Sequence, residues 1–422
     1  MNWNVILRRG ITITCRLSVI PYWDTRSGYD SKVCLFPLRS LPAHCMVIQR
    51  NHGRPQCYAS DSARDPGSAV PPVHPAAYLP LTRVSIHLSP KCASVRHFVY
   101  LCPMKRLSVE KYAKTAWNLL SDGGRTFPYY ASFKVTSVCH FSCSFCNIWK
   151  GPKETLERDQ ALSIMRNLGR SSIFLTSLEG GEPLLHPHIE DIMEEGHKQP
   201  FYLMLTTSQR DLVEYPWKQW SKWVDFLEVS IDEGHRNLEL FDALPDMAQH
   251  KMVISVQTVV RAEDQGDMAR KTAICAKNGC KILLMPAVDL EGAKHDFPEF
   301  LSFEREVLAL KKQYPSTVIT PKAYFRRVRM KQGGCSPTSI IINSDGSLYY
   351  PCRTLERKAV NLIDTDLMEY IKSQAADSCR HEMKVCERAC GWYQYFATPG
   401  FLNPLEFWDA FRPYAGDFLK RK

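Results

Sequence analysis

Residues 129–136, Tyr-Tyr-Ala-Ser-Phe-Lys-Val-Thr, follow a two-residue period and run through Ser137 and Val138 into Cys139-His-Phe-Ser-Cys143-Ser-Phe-Cys146. The alternation predicts a strand, so the three cysteines stand on a loop at its carboxyl end. Sixteen cysteines in 422 residues do not account for a C-x3-C-x2-C spacing by composition. Thiolates this close in sequence can converge on one soft metal centre. Three of them fill three corners of an iron–sulfur cubane and leave the fourth iron open. An open position marks a centre that does chemistry. A zinc knuckle borrowing His140 or a distant ligand answers the same spacing.

Beyond the loop, β-rich runs at 173–177, 202–206, 226–231, 253–260 and 281–286 alternate with helical patterns at 158–168, 189–198, 211–220, 238–250 and 267–278. A further helix is predicted at 300–312. Strands separated by helices of this length make βαβ units and a parallel sheet. With the strand before Cys139 there are six units, too few for the eight-fold barrel. A partial barrel or an open doubly wound sheet remains, and either places its active site at the carboxyl ends of the strands.

The residues at those strand ends resemble the radical S-adenosylmethionine (radical SAM) superfamily, whose C-x3-C-x2-C follows the first strand of a partial (β/α)6 barrel. Phe145 stands before the third cysteine as that family's pattern expects, and Glu179-Gly-Gly-Glu-Pro183 matches its GGEP motif at the second strand end. Leu205-Thr-Thr-Ser208 and Val229-Ser-Ile-Asp232 are similar to its third and fourth strand endings. The resemblance covers residues 130–290. It implies that Cys139, Cys143 and Cys146 ligate a [4Fe–4S] cluster whose open iron chelates the amino and carboxylate groups of SAM. Gly180 and Gly181 would let backbone approach that ligand, Glu182 would accept from its ammonium, and Phe145 would lie near the adenine. Ser230 and Asp232 are candidates for holding the ribose or lining the substrate cavity, although a strand-end Asp also caps helices. The implied reaction is one-electron reductive cleavage of SAM to methionine and a 5′-deoxyadenosyl radical, which takes a hydrogen atom from substrate. It implies an enzyme of oxidoreductase or transferase type, its exact reaction open, supplied by a flavodoxin- or ferredoxin-type reductant, with a peptide, lipid or small-molecule substrate.

After residue 326 the rhythm changes. Two β runs flank Asp345-Gly346, a hairpin signal, a helix is predicted at 367–376, and Cys335, Cys352, Cys379, Cys386 and Cys390 are spread through the segment. This looks like the SPASM/twitch extension of some radical SAM enzymes: a small cysteine-rich α+β domain over 326–422. The full pattern has seven cysteines for two clusters; five are here, and its C-x5-C step reads x6. One auxiliary [4Fe–4S] cluster on Cys335, Cys352, Cys386 and Cys390 follows, with Cys379 the alternative ligand. A pair of disulfides fits poorly in the reducing compartment such clusters need, which implies the cytoplasm. Cys275 and Cys280 read as core cysteines. The aromatic stretch from Trp392 to Tyr414 either packs the core or closes the barrel mouth over substrate.

Residues 1–103 are of another character. They hold 12 Lys/Arg, four Asp and no Glu, so +8 of the chain's net +10 lies there, with 11 of its 27 prolines. Residues 104–422 are near neutral, which argues against nucleic acid as a partner. The expectation is an unfolded leader or a mis-assigned start, followed by a helix at 109–120 within residues 104–129 and the barrel over 130–325. No run of about 18 apolar residues appears, so no transmembrane span is expected. The rival function is a zinc-stabilised, cysteine-rich binding module without catalysis.

Overall fold

A computed structural model describes residues 127–420 except 251, 289–296, 331–332, 389 and 398–402, together with Ala113, Trp117 and four short strands before residue 58. The chain divides into two compact units between Pro103 and Met104. In the first unit Asn2–Leu7 pairs antiparallel with Ile11–Arg16, and Val47–Ile48 with Gln56–Cys57; the rest of the expected leader lies outside the described residues. So does the expected helix at 109–120, apart from Ala113 and Trp117, which are helical.

In the second unit the six expected strands form in order: β1 (Tyr130–Thr136), β2 (Leu175–Gly180), β3 (Tyr202–Thr207), β4 (Phe226–Ser230), β5 (Val253–Val260) and β6 (Lys281–Pro286). Each pairs in parallel with its sequence neighbour. Alternation sorts their side chains. Ala131, Phe133 and Val135, like Leu203 and Leu205 or Leu227 and Val229, are buried in the apolar core, where a Leu or Phe side chain contributes about 1.5–3 kcal/mol. Helix α1 (Arg158–Arg170) covers part of that face with Ala161, Ile164, Met165 and Leu168, at helical spacing. It starts in a capping box between Glu157 and Gln160. The intervening strand residues face a cavity of about 560 Å³ that touches all six strands, through Lys134, Glu179, Thr206, Ser230, Gln257 and Met285. One cavity can touch all six only if the sheet curls around it, and β6 does not pair back to β1. The fold is the expected partial barrel.

Two elements depart from expectation because proline interrupts them. Within 211–220 only Trp217–Trp220 is α-helical, with Pro216 at its N-cap; within 238–250 the α-helix is Leu244–Met247, with Pro245 in its first turn. Proline has no N–H for the preceding turn and fits best where a helix begins. The helix expected at 367–376 is two, Leu367–Ile371 and Gln374–Lys384, because Ser373 Oγ accepts from the Ala376 amide and caps the second.

The C-terminal hairpin, β7 (Ser339–Ile342) and β8 (Ser347–Tyr349), does not form its own sheet. β7 pairs in parallel with β1, Ser339 opposite Tyr130, and β8 pairs with β9 (Lys358–Asn361), giving nine strands in the order 6-5-4-3-2-1-7-8-9. Gly346 turns the hairpin at φ 79°, where a Cβ would stand 2.6 Å from Asn361 Oδ1.

Candidate active site

The cysteine loop is an excursion tied at its neck. Ser137 N donates to Glu154 O (2.8 Å), Ser137 Oγ to Pro152 O (2.6 Å), and the hydroxyls of Thr136 and Thr155 meet at 2.7 Å. Inside it, Cys146 N and Trp149 Nε1 both donate to Cys143 O (3.3 and 3.2 Å). Cys143 is buried, Cys139 and Cys146 are half-buried, and all three line the cavity. Burial, then the Glu182 charge with Cys143 and Cys146 nearby, pushes the Cys139 thiol up to about 11. A thiol so raised does not ionise alone; a metal centre that deprotonates its ligands outright suits it. Among the described residues no three His, Cys, Asp or Glu side chains gather around a single metal ion, whereas a cubane spreads its thiolates over separate irons.

β2 ends on the same cavity with Gly180, Gly181 and Glu182. The glycines are needed for a reason other than ligand approach. A Cβ on Gly180 would stand 2.3 Å from Thr136 O, and one on Gly181 2.3 Å from Val138 O and 2.8 Å from Cys139 Cβ. Their absence lets Gly181 N and Glu182 N donate to Thr136 O and Val138 O, both at 2.8 Å, which docks β2 on the start of the cysteine loop. Gly181→Ala is therefore expected to destabilise the fold by about 1–3 kcal/mol and to lower iron uptake by displacing Cys139. Urea unfolding of the apo chain and iron analysis check this; an unchanged midpoint would refute it. Glu182, 1% exposed, accepts from Leu184 N (3.1 Å), Thr207 Oγ1 (2.7 Å) and Ser208 N (2.9 Å). A carboxylate has about four acceptor positions, so one remains toward the cavity.

At β4, Ser230 and Phe145 reach the cavity and Asp232 does not. Asp232 Oδ1 accepts from His235 N (2.9 Å) and Nδ1 (2.8 Å), and Oδ2 from Val259 N (3.2 Å). The Asp232 oxygens, expected at the ribose or the cavity, are thus taken up by the turn at His235 and by Val259 on β5. The residue it presents to the cavity is His235, which the sequence reading passed over; its signal was a histidine three residues after a strand-end Asp.

The lumen below is polar, unlike the branched aliphatic filling of an eight-fold barrel. Tyr130 OH and Ser132 Oγ donate to Glu179 (3.0 and 2.5 Å), the hydroxyls of Ser177 and Thr206 meet at 3.0 Å, and Glu228 bonds Thr206 and Ser255. Burial, then the Glu179 charge, drives the Glu228 carboxyl up to about 8. Its folded-state pKa lies above the unfolded one, so the folded state holds a proton the unfolded chain has released, and stability falls as pH rises from about 5 to 8. Glu228→Gln, a neutral mimic, should match wild type at pH 5 and exceed it at pH 8 in urea unfolding. Equal midpoints at pH 8 would refute this.

The description "Radical SAM superfamily" belongs to the family model that matches residues 133–281, a span running from β1 into β6 and containing the cysteine loop and the Gly-Gly-Glu turn. Residues 133–281 are a radical SAM domain. Among solved structures, Streptococcus suis SuiB bound to S-adenosylmethionine is similar at a TM-score of 0.53 and 14% identity, over 66% of this chain and 76% of that one. SuiB bound to precursor peptide SuiA gives 0.50 at 13%, over 68% and 79%. At such identities the likeness shows the fold. No curated protein matches the chain. The radical SAM domain implies a [4Fe–4S] cluster and SAM, and the donor set described above fits both.

Outside the radical SAM domain the structure groups four of the five C-terminal cysteines. Burial, then Cys352, Cys390 and Cys386 in turn, pushes the Cys335 thiol up to about 12. Cys379 faces elsewhere, with Tyr370 Oη at 3.9 Å and Arg357 Nη1 at 3.7 Å. The ten cysteines from Cys139 to Cys390 are thiols, not disulfides, with Cys275 and Cys280 buried in the core. In the aromatic segment Tyr395 and Phe396 are core, while Trp392 and Tyr393 line the cavity beside Tyr349, Arg353 and Lys358.

Proposed function

We propose that this chain is a radical SAM oxidoreductase in which Cys139, Cys143 and Cys146 hold the SAM-binding [4Fe–4S] cluster. The observation that carries this is the convergence of the cysteine loop, Gly180-Gly-Glu182 and Ser230 on one cavity at the strand carboxyl ends. When bound, cluster and SAM supply a 5′-deoxyadenosyl radical that abstracts hydrogen from substrate. Glu182 offers its remaining acceptor position to the ammonium of SAM, Phe145 flanks the adenine, and Ser230 contacts the ribose or the substrate. Trp392 and Tyr393 exclude water from the reacting centre. Cys335, Cys352, Cys386 and Cys390 hold one auxiliary [4Fe–4S] cluster.

About 560 Å³, shared with SAM and lined by Glu179, Thr206 and Gln257, suits a polar small molecule or a peptide side chain better than a lipid tail. SuiB's binding of a precursor peptide is in keeping with the peptide alternative. A flavodoxin- or ferredoxin-type donor supplies the electron, and oxygen-sensitive clusters suit the cytoplasm. Among the described residues no helix is long and apolar enough to cross a membrane. A zinc-stabilised binding module leaves the radical SAM domain without a role. The test is anaerobic reconstitution with iron and sulfide, then SAM and a strong reductant: 5′-deoxyadenosine and methionine should accumulate. No cleavage by protein holding full iron would defeat the proposal.

A further inference from the structure

The C-terminal hairpin brings a guanidinium to the barrel cavity. β8 ends at Tyr349, which stands opposite Ile341 of β7 and Lys358 of β9. The chain then passes Cys352 and makes one short 3-10 turn, Arg353–Leu355, closed by Glu356 N donating to Arg353 O at 2.9 Å. Glu356 is held at φ 52°, a left-handed conformation that costs a non-glycine residue energy. What this turn positions is the Arg353 side chain. Arg353 N donates to the hydroxyl of Tyr395 (2.9 Å), itself buried in the core. The guanidinium lies over the Tyr349 ring, 4.5 Å from its centroid, and both residues line the cavity. Stacking on an aromatic face fixes the plane of an arginine and leaves its N–H edge to meet a partner.

Charge decides what a ligand there would be. Lys358 Nζ lies 2.6 Å from Asp345 Oδ2, and Lys134 stands opposite Glu179 in the register of β1 and β2. The two lysines on the cavity wall thus each have an acid built in beside them. Arg353 has Glu356, but at 3.6 Å and with that side chain 64% exposed. A pair so placed contributes little, so a ligand can replace it at small cost. A carboxylate matches the fork with two parallel N–H···O bonds and a single negative charge. A phosphate monoester carries about −1.5 to −2, and Glu154 and Glu179 on the same cavity would repel it more strongly.

We propose that the substrate bears a carboxylate and that Arg353, stacked on Tyr349, binds it. The adjoining carbons of the substrate then lie in the cavity that the cysteine loop also lines. The acid belongs to a small molecule or to an acidic residue of a peptide; the chemistry that Arg353 reads is the same in both. The carboxylate of SAM is not the one meant, since the open iron of the cluster takes that group. The inference rests on the proposed function, because it treats this cavity as the place where SAM and substrate meet.

The experiment uses the reconstituted, SAM-saturated holoenzyme and its Arg353→Gln and Arg353→Lys variants. Iron content and SAM affinity are measured first. Glutarate, N-acetylglutamate α-amide, its neutral glutamine counterpart and inorganic phosphate are then titrated by ligand-observed nuclear magnetic resonance. Wild type should bind a carboxylate probe more tightly than the glutamine amide by a factor on the order of ten. Glutarate alone would identify a small acid, and the glutamate amide as well a peptide residue. Arg353→Gln should lose that factor while iron and SAM affinity hold. Arg353→Lys keeps the charge without the fork and should recover only part of it. Carboxylates bound no better than the glutamine amide, or phosphate bound better than either, would overturn the inference, as would Arg353→Gln with wild-type carboxylate affinity. A parallel loss of SAM affinity would overturn it by assigning Arg353 to the carboxylate of SAM. Where Arg353→Gln loses iron, Arg353→Lys carries the test and must bind the carboxylate more weakly than wild type; loss of iron from both would overturn the inference by making Arg353 a support of the site beside Cys352. Full-iron protein that cleaves no SAM would defeat the proposed function and this inference together, whereas SAM cleavage without carboxylate binding defeats the inference alone.

Discussion

Cys139→Ala, Cys143→Ala and Cys146→Ala should each abolish SAM cleavage, leaving 5′-deoxyadenosine at the level of a protein-free control. The loop offers three thiols and no reserve: His140 is exposed, and no other cysteine is among the residues lining that cavity. A cubane short of one protein ligand is not held in the orientation that keeps a single iron open for SAM. The fold should survive these changes, because Cys139 and Cys146 are only half-buried and the loop is closed by the hydrogen bonds of Ser137 and Thr136, not by its sulfurs. Far-ultraviolet circular dichroism with the product assay separates the two effects. Substantial turnover in any of the three variants would remove the core of the proposed mechanism.

Removing all three loop cysteines together should lower iron to about four atoms per chain, the content of one remaining [4Fe–4S] cluster. The second set stands on different elements: Cys335 before β7, Cys352 after β8, and Cys386 and Cys390 after helix Gln374–Lys384. Cys335→Ala or Cys352→Ala should lower iron by a similar amount while SAM still binds the loop cluster. Cys379→Ala should leave iron unchanged, since its thiol faces Tyr370 and Arg357. That contrast separates cluster loss from general damage. Metal-binding energy can be folding energy in such segments, so soluble yield is measured alongside. A triple loop variant with no iron at all, or a Cys379→Ala variant that loses as much as Cys352→Ala, would defeat the assignment.

The sequence by itself determined the alternation of strands and helices and the order of its parts. Val253–Val260 and Lys281–Pro286 were legible to the residue, because a fully apolar or alternating run leaves a parallel strand few other registers. The cysteine loop was legible because its ligands are local in sequence. Residues whose partners are distant were not. Asp232 looks like a cavity residue until the turn to His235 and the amide of Val259 consume its oxygens. Gly180 and Gly181 look like room for a ligand, yet what a Cβ would strike is the carbonyl of Thr136 or Val138. The polar lumen was hidden in the same way, since Tyr130, Glu179 and Glu228 come together only when three strands curl around one cavity. Tertiary structure also decided that the hairpin at Ser339–Tyr349 continues the barrel sheet: its pattern specifies a turn, whereas the free edge of β1 supplies the unpaired N–H and C=O groups that β7 satisfies. Local chemistry fixes elements and motifs, but hydrogen-bond partners and close approaches arise between segments far apart in the chain, where only the folded backbone brings them together.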